Sequence, residues 1–185
     1  MIPEEALQTI LGLLDQCQIP YMISGSFASN LHGLPRVTQD ADVVIDPTQG
    51  ALNTFLDSLA PDFYVSREEA LEAFQTKRIF NLIHLETGFK VDLIIKKRRQ
   101  FSQVEFERRG KGRFLGTTRW FTSPEDVILI KLEWAKMGDS ERQFIDALNV
   151  ARIQGEKLDR VYLKTWATKL GVDGYLKRLF DALKP

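Results

Sequence analysis

Residues 40–46, Asp-Ala-Asp-Val-Val-Ile-Asp, alternate polar and apolar side chains with a period of two. That period belongs to an extended strand with one buried face. Ala41, Val43 and Ile45 fall on one side, and Asp40, Asp42, Val44 and Asp46 on the other. Residues 89–96 repeat the pattern, with Phe89, Val91, Leu93 and Ile95 opposite Lys90, Asp92, Ile94 and Lys96. From Ser123 onward the apolar spacing becomes helical. A chain that makes this change is confined to a layered α/β (α+β) arrangement, a sheet with covering helices followed by a helical region. The boundary is expected near Thr117–Thr122, giving residues 1–118 and 119–185 as the two parts.

The remaining elements follow from the same patterns. Helices are predicted over 4–17, 26–32, 48–59 and 67–75, and strands over 20–24, 63–65 and 78–86. Thr87-Gly88 closes a hairpin between 78–86 and 89–96. Ser123 is expected as an N-cap with Pro124 at the first helical position, and further helices over 140–153, 159–169 and 172–183.

The 185 residues are 44% hydrophobic, enough for a sizeable core. Basic and acidic residues are equal at 25 each, so attraction to nucleic acid or membrane must come from a local patch. Cys17 is the one cysteine, which excludes an intrachain disulfide framework, suits a reducing compartment and reads as a packed core residue. The N-terminus carries acids where a signal peptide carries bases, and no run approaches the roughly 18–20 apolar residues that span a bilayer. The expectation is a cytoplasmic protein with no membrane partner.

Residues two apart on a strand share a face about 6.5–7 Å apart, so Asp40 and Asp42 converge. Two such carboxylates repel each other unless a cation lies between them. A hard divalent ion, Mg2+ or Mn2+, takes oxygen ligands and relieves the conflict, and Asp92 on the polar side of its own strand supplies a third ligand. The plainer reading makes Asp40 a turn residue and Asp42 merely solvent-facing.

Ser24-Gly25-Ser26 lies where a strand ends and a helix begins, a junction that offers backbone N–H groups and a helix dipole to a phosphate. Alone it is an ordinary turn with a serine cap. In the helix after Pro124, Lys131 is the one charge in the run Val127–Leu132. At about 100° per residue it lies on the face of Val127, Ile128, Trp134 and Ala135, with Glu125, Asp126, Glu133 and Lys136 opposite. A buried ammonium needs an anionic partner, for which a triphosphate would serve, unless the side chain snorkels to water. Asp146 lies one turn after Arg142 and reads as one half of a surface ion pair.

An apolar strand, Gly25-Ser26, thirteen intervening residues, Asp40-x-Asp42 and a later Asp92 in a strand together resemble the nucleotidyltransferase superfamily related to DNA polymerase β. Arg36-x-Thr38-x-Asp40-x-Asp42, joined to residues 122–148, is similar to small stand-alone bacterial nucleotidyltransferases, relatives of abortive-infection type toxins among them. The resemblance implies a nucleotidyltransferase-type mixed sheet flanked by helices. It also implies Asp40, Asp42 and Asp92 as metal ligands and catalytic carboxylates. Gly25, Ser26, Arg36, Thr38 and Lys131 would contact the NTP, and Asp146 joins as a further acidic site residue. The implied reaction moves an NMP from an NTP to a hydroxyl or phosphate of an unidentified acceptor, RNA among the candidates, with release of pyrophosphate. The alternatives are an inactive nucleotide- or RNA-binding module of the same fold, and a tRNA-modifying toxin with an antitoxin protein as partner.

Between Lys96 and Arg113 stand eight basic residues against two acidic ones. This segment suits phosphate contacts, or equally a solvated helix face packed through Phe101 and Val104. His32, His84 and Cys17 supply neither a zinc-ligand set nor a nucleophile with its base.

Overall fold

The computed structural model describes residues 3–184. By compactness the chain divides into two units: residues up to Ser24 with Val37–Phe121, and Gly25–Arg36 with the residues from Thr122 on. Among the described residues no helix is long and apolar enough to cross a membrane.

The first unit holds a mixed seven-stranded sheet in the order β3-β4-β5-β2-β1-β7-β6. Its strands are β1 (Tyr21–Ile23), β2 (Asp40–Ile45), β3 (Phe63–Val65), β4 (Ile79–His84), β5 (Lys90–Ile95), β6 (Gly110–Phe114) and β7 (Thr117–Phe121). β2 runs parallel to β5 and antiparallel to β1, and β7 runs parallel to β1. β3-β4, β4-β5 and β6-β7 are antiparallel pairs. The expected alternation holds in β2 and β5: Ala41, Val43, Ile45, Val91, Leu93 and Ile95 are buried, and Asp40, Asp42 and Asp92 are half-buried on the other side.

Four helices belong to this unit: α1 (Pro3–Gln16), α3 (Gln49–Asp57), α4 (Arg67–Thr76) and α5 (Gln100–Glu107). The stripe Ala6, Leu7, Ile10, Leu11 and Leu14 of α1 is fully buried. Polar contacts fix where α1 lies: Gln8 Nε2 donates to Thr117 Oγ1 at 3.0 Å, and Asp15 pairs with the buried Arg119 of β7.

Three expectations for this unit change. The segment 96–113 is a single face of no one helix, because α5 ends at Glu107 and β6 begins at Gly110. The buried side of α5 is Phe101, Ser102, Glu105 and Phe106, with Val104 half-buried. Its cations rest on aromatic faces: Arg109 lies 4.3 Å from the Phe106 ring centre and 5.1 Å from that of Trp120, with Lys111 5.2 Å from Trp120. Lys96 pairs with Asp46. Cys17 is half-buried, not a core residue.

The second unit is helical: α2 (Gly25–His32), α6 (Pro124–Gly138), α7 (Glu141–Gln154), α8 (Arg160–Leu170) and α9 (Asp173–Ala182), with a 3-10 turn at Gly155–Lys157. α6 begins as expected, Ser123 Oγ accepting from the Asp126 N–H at 3.3 Å with Pro124 in the first turn. Glu125 and Asp126, however, are buried where the helical wheel puts them outside. Asp126 accepts hydrogen bonds from the Ser123 and Tyr162 hydroxyls, both at 2.6 Å, and Glu125 accepts the Asp159 N–H at 3.0 Å, so α8 covers the first turn of α6. Trp134 is correspondingly 52% exposed.

Candidate functional site

In the sheet unit, the parallel pairing of β2 with β5 sets Asp40 beside Lys90 and Asp42 beside Asp92. Cross-strand partners point to the same face. Asp40, Asp42, Lys90 and Asp92 therefore form one polar group, each on a strand whose alternate residues are buried. β4 adds Asn81 opposite Asp92. Both oxygens of Asp92 have partners: the Asn81 amide donates to Oδ1, and Lys90 Nζ lies 3.0 Å from Oδ2. The hydrogen bond to Asp92 raises the Lys90 ammonium above its ordinary pKa; partial burial opposes this, while the charges of Asp92, Asp40 and Asp42 add to it. Thr38 Oγ1 lies 3.1 Å from both Oδ1 and the backbone carbonyl of Asp40, which fixes that carboxylate. Ser24 N–H donates to the Asp42 carbonyl at 2.8 Å, anchoring the end of β1 to this strand.

The donor set is hard oxygen throughout and carries three negative charges, which is the chemistry of a Mg2+ or Mn2+ site. Among the described residues no three Asp, Glu, His or Cys side chains converge closely enough to enclose a metal ion. The residue chemistry fits the ion, and Asp92 is held by Asn81 and Lys90.

In the helical unit, Gly25 opens α2 with φ +55°, a conformation that glycine adopts without strain. Ser26 and Ser29 are buried. Arg36 is the hub of a polar network: its Nη2 donates to Ser26 Oγ at 2.8 Å, and its Nε and Nη2 reach Asp146 Oδ1 and Oδ2 at 3.1 and 3.0 Å. Lys131 Nζ donates to the same Oδ2 at 2.9 Å. Asn30 holds the Arg36 backbone, its Oδ1 accepting the N–H at 3.0 Å and its Nδ2 donating to the carbonyl at 2.7 Å.

Lys131 is buried as the helical period predicts, with 4% of its surface exposed, so the snorkelling alternative fails. Its anionic partner is Asp146, a role for which the sequence offered only a triphosphate. Asp146 is likewise 7% exposed and bonded to Arg36 and Lys131, which overturns a surface pair with Arg142. Burial pushes the Asp146 carboxyl up, but the hydrogen bonds and charges of Arg36 and Lys131 outweigh it and hold the pKa below its ordinary value.

Of the residues singled out from sequence, the fold thus gathers Asp40, Asp42, Asp92 and Thr38 in one unit, and Gly25, Ser26, Arg36, Lys131 and Asp146 in the other. Asn30, Asn81 and Lys90 were missed as contributors. Lys90 had a visible signal, its two-residue spacing from Asp92; Asn30 and Asn81 had none, because their partners are set by pairing and loop geometry. His32 is a helix-end residue: its Nε2–H donates to the Thr122 carbonyl at 2.8 Å.

No family model and no curated protein matches the chain. Solved structures do. The antibiotic-resistance factor ANT(2'')-Ia aligns with a TM-score of 0.62 at 13% identity, over 95% of this chain and 96% of that one. The lincosamide antibiotic adenylyltransferase LnuA, bound to lincomycin, gives 0.53 at 16% over 80% and 96%. An antigenic nucleotidyltransferase-like protein from Paracoccidioides brasiliensis gives 0.53 at 19% over 95% and 92%. The chain shares the fold of these structures, a mixed sheet with flanking and C-terminal helices.

Proposed function

We propose that the protein is a metal-dependent nucleotidyltransferase. The observation that carries this reading is the register of β2 against β5, which puts Asp40, Asp42 and Asp92 on one face of a nucleotidyltransferase-type sheet. Asp40 and Asp42 bind the ions, with Thr38 fixing Asp40, and Asp92 completes the set and helps activate the acceptor hydroxyl. Divalent ions, when bound, neutralise the phosphate oxygens and lower the pKa of the attacking group. Gly25 and Ser26 present the start of α2 to the triphosphate, and Arg36 and Lys131 add positive charge, with Asp146 fixing both cations. The acceptor oxygen forms a bond to the α-phosphorus as the bond to the β-phosphate bridging oxygen breaks, and pyrophosphate leaves. Because two of the similar structures are of proteins described by their action on antibiotics, a hydroxyl of a small molecule is the first acceptor class to try.

The test is pyrophosphate release and label transfer from each NTP with Mg2+ or Mn2+ and a panel of hydroxyl acceptors. Thermal melts supply the binding readout. At ligand concentrations near 100 times Kd, linkage gives about 2.7 kcal/mol, a rise of about 5–10 °C for a chain of this length. Asp42→Asn should lose that rise while the metal-free protein stays as stable as the wild type or gains, because carboxylate repulsion is relieved. NTP-dependent stabilisation without transfer to any acceptor would leave a binding module in place of an enzyme.

A further inference from the structure

The sheet unit contains a cation of its own at the carboxylate face. Lys90 is the cross-strand neighbour of Asp40, and its ammonium sits 3.0 Å from Oδ2 of Asp92, itself the neighbour of Asp42. Its side chain is 41% exposed, so the ammonium can swing out to water, whereas Asp92 is 15% exposed and is held from the other side by Asn81. An ammonium that close to a ligand oxygen repels an incoming dication and offsets the mutual repulsion of the carboxylates while none is there.

We infer that Lys90 is a tethered counter-ion that stabilises the carboxylate face in the metal-free protein and is displaced from Asp92 when a divalent ion binds. The inference rests on the metal reading of Asp40, Asp42 and Asp92 proposed above. Lys90 is then a positioning residue: it sets how tightly the ion is held, and Asn81 keeps Asp92 aimed at the face during the exchange. The opposing view makes Lys90–Asp92 an ordinary surface ion pair with no bearing on metal.

Mn2+ binding to the full-length protein, followed by electron paramagnetic resonance at low ionic strength, separates these. Lys90→Met should bind Mn2+ about fivefold more tightly than wild type, the scale of one exposed ion pair, and its metal-free melting temperature should fall by about 2–4 °C. Lys90→Arg, which keeps the charge, should return both values toward wild type. Unchanged or weaker Mn2+ binding by Lys90→Met overturns the inference and leaves the metal reading standing. A wild-type protein that binds no Mn2+ overturns both. If Lys90→Met does not fold, acetic anhydride labelling of the wild type gives the same answer without a variant. Added Mg2+ should raise modification at Lys90 severalfold relative to the exposed Lys184, and an unchanged ratio overturns displacement.

Discussion

Asp146 shows how a single carboxylate can decide the state of two cations. The Lys131 side chain is buried, and the ionised Asp146 carboxylate bonded to it offsets the cost of holding its charge there. Asp146→Asn should therefore lower stability by about 3 kcal/mol, read from urea denaturation near neutral pH. The pH dependence has a definite sign. Because its folded pKa lies below the ordinary carboxylate value, the contribution of Asp146 is complete above the unfolded pKa and is lost as pH falls through the folded one. The gap between wild type and Asp146→Asn should narrow below about pH 4, and a gap constant into acid would mean that the ion pairs contribute nothing. At this scale the sequence was informative about burial and blind to pairing. Helical period alone put Lys131 inside, and strand period put Asp40 and Asp42 on one face and Asp92 on the polar side of its own strand; the β2–β5 pairing that brings the three together was not legible. The partner of Lys131 lies on the next helix, and local i,i+4 logic offered Arg142 to Asp146 instead.

Elements were legible where period and punctuation agreed, and not where composition was atypical. α6 was readable from Ser123-Pro124 because the cap and the proline each fix a position of the first turn. β6 was not, since Gly-Lys-Gly-Arg-Phe contains no alternating apolar face; it pairs only with β7, at the sheet edge, where basic residues are tolerated and discourage further pairing. The end of α2 carries two predictions. A Cβ on Gly33 would lie 2.9 Å from the Val150 backbone nitrogen and 3.1 Å from the Asn149 carbonyl carbon, so α2 and α7 meet backbone to backbone there. Gly33→Ala should cost about 2 kcal/mol in chemical denaturation, while Gly50→Ala, which meets nothing within 4 Å, should be near neutral. His32 makes the same junction sensitive to pH. Burial lowers its pKa, with the hydrogen bond to Thr122 and the charge of Glu125 opposing, so the folded state prefers the neutral ring. That stabilisation is complete above the unfolded value and is lost as pH falls below about 6.5. His32→Gln should flatten the stability profile of the protein between about pH 5 and 6.5.

For the molecule as a whole, the chain passes from one unit to the other at Ser24–Gly25, Arg36–Val37 and Phe121–Thr122. The change of period, near Thr117–Thr122, lies beside the third of these passages, and no change of period marks the first two. α2 looks like part of a β-α-β run and follows β1 without a linker, yet it packs with α6 and α7. A cut between 118 and 119 would also pass through β7, which runs on to Phe121 and supplies the parallel neighbour of β1. Neither unit is therefore one continuous stretch of chain, and this makes a prediction that a two-domain tandem would not. A fragment ending at Phe121 keeps β1–β7 but leaves α2 without α6 and α7, against which it packs, and leaves Arg36 without Asp146. It should aggregate or show broadened amide resonances. Removing residues 25–36 as well and bridging Ser24 to Val37 with a short glycine linker should recover a dispersed, folded sheet unit. If the simple 1–121 fragment instead gives a sharp, fully dispersed spectrum with the melting behaviour of the whole chain, the α2 segment does not depend on the C-terminal helices and the division at Gly25 and Arg36 has no energetic meaning.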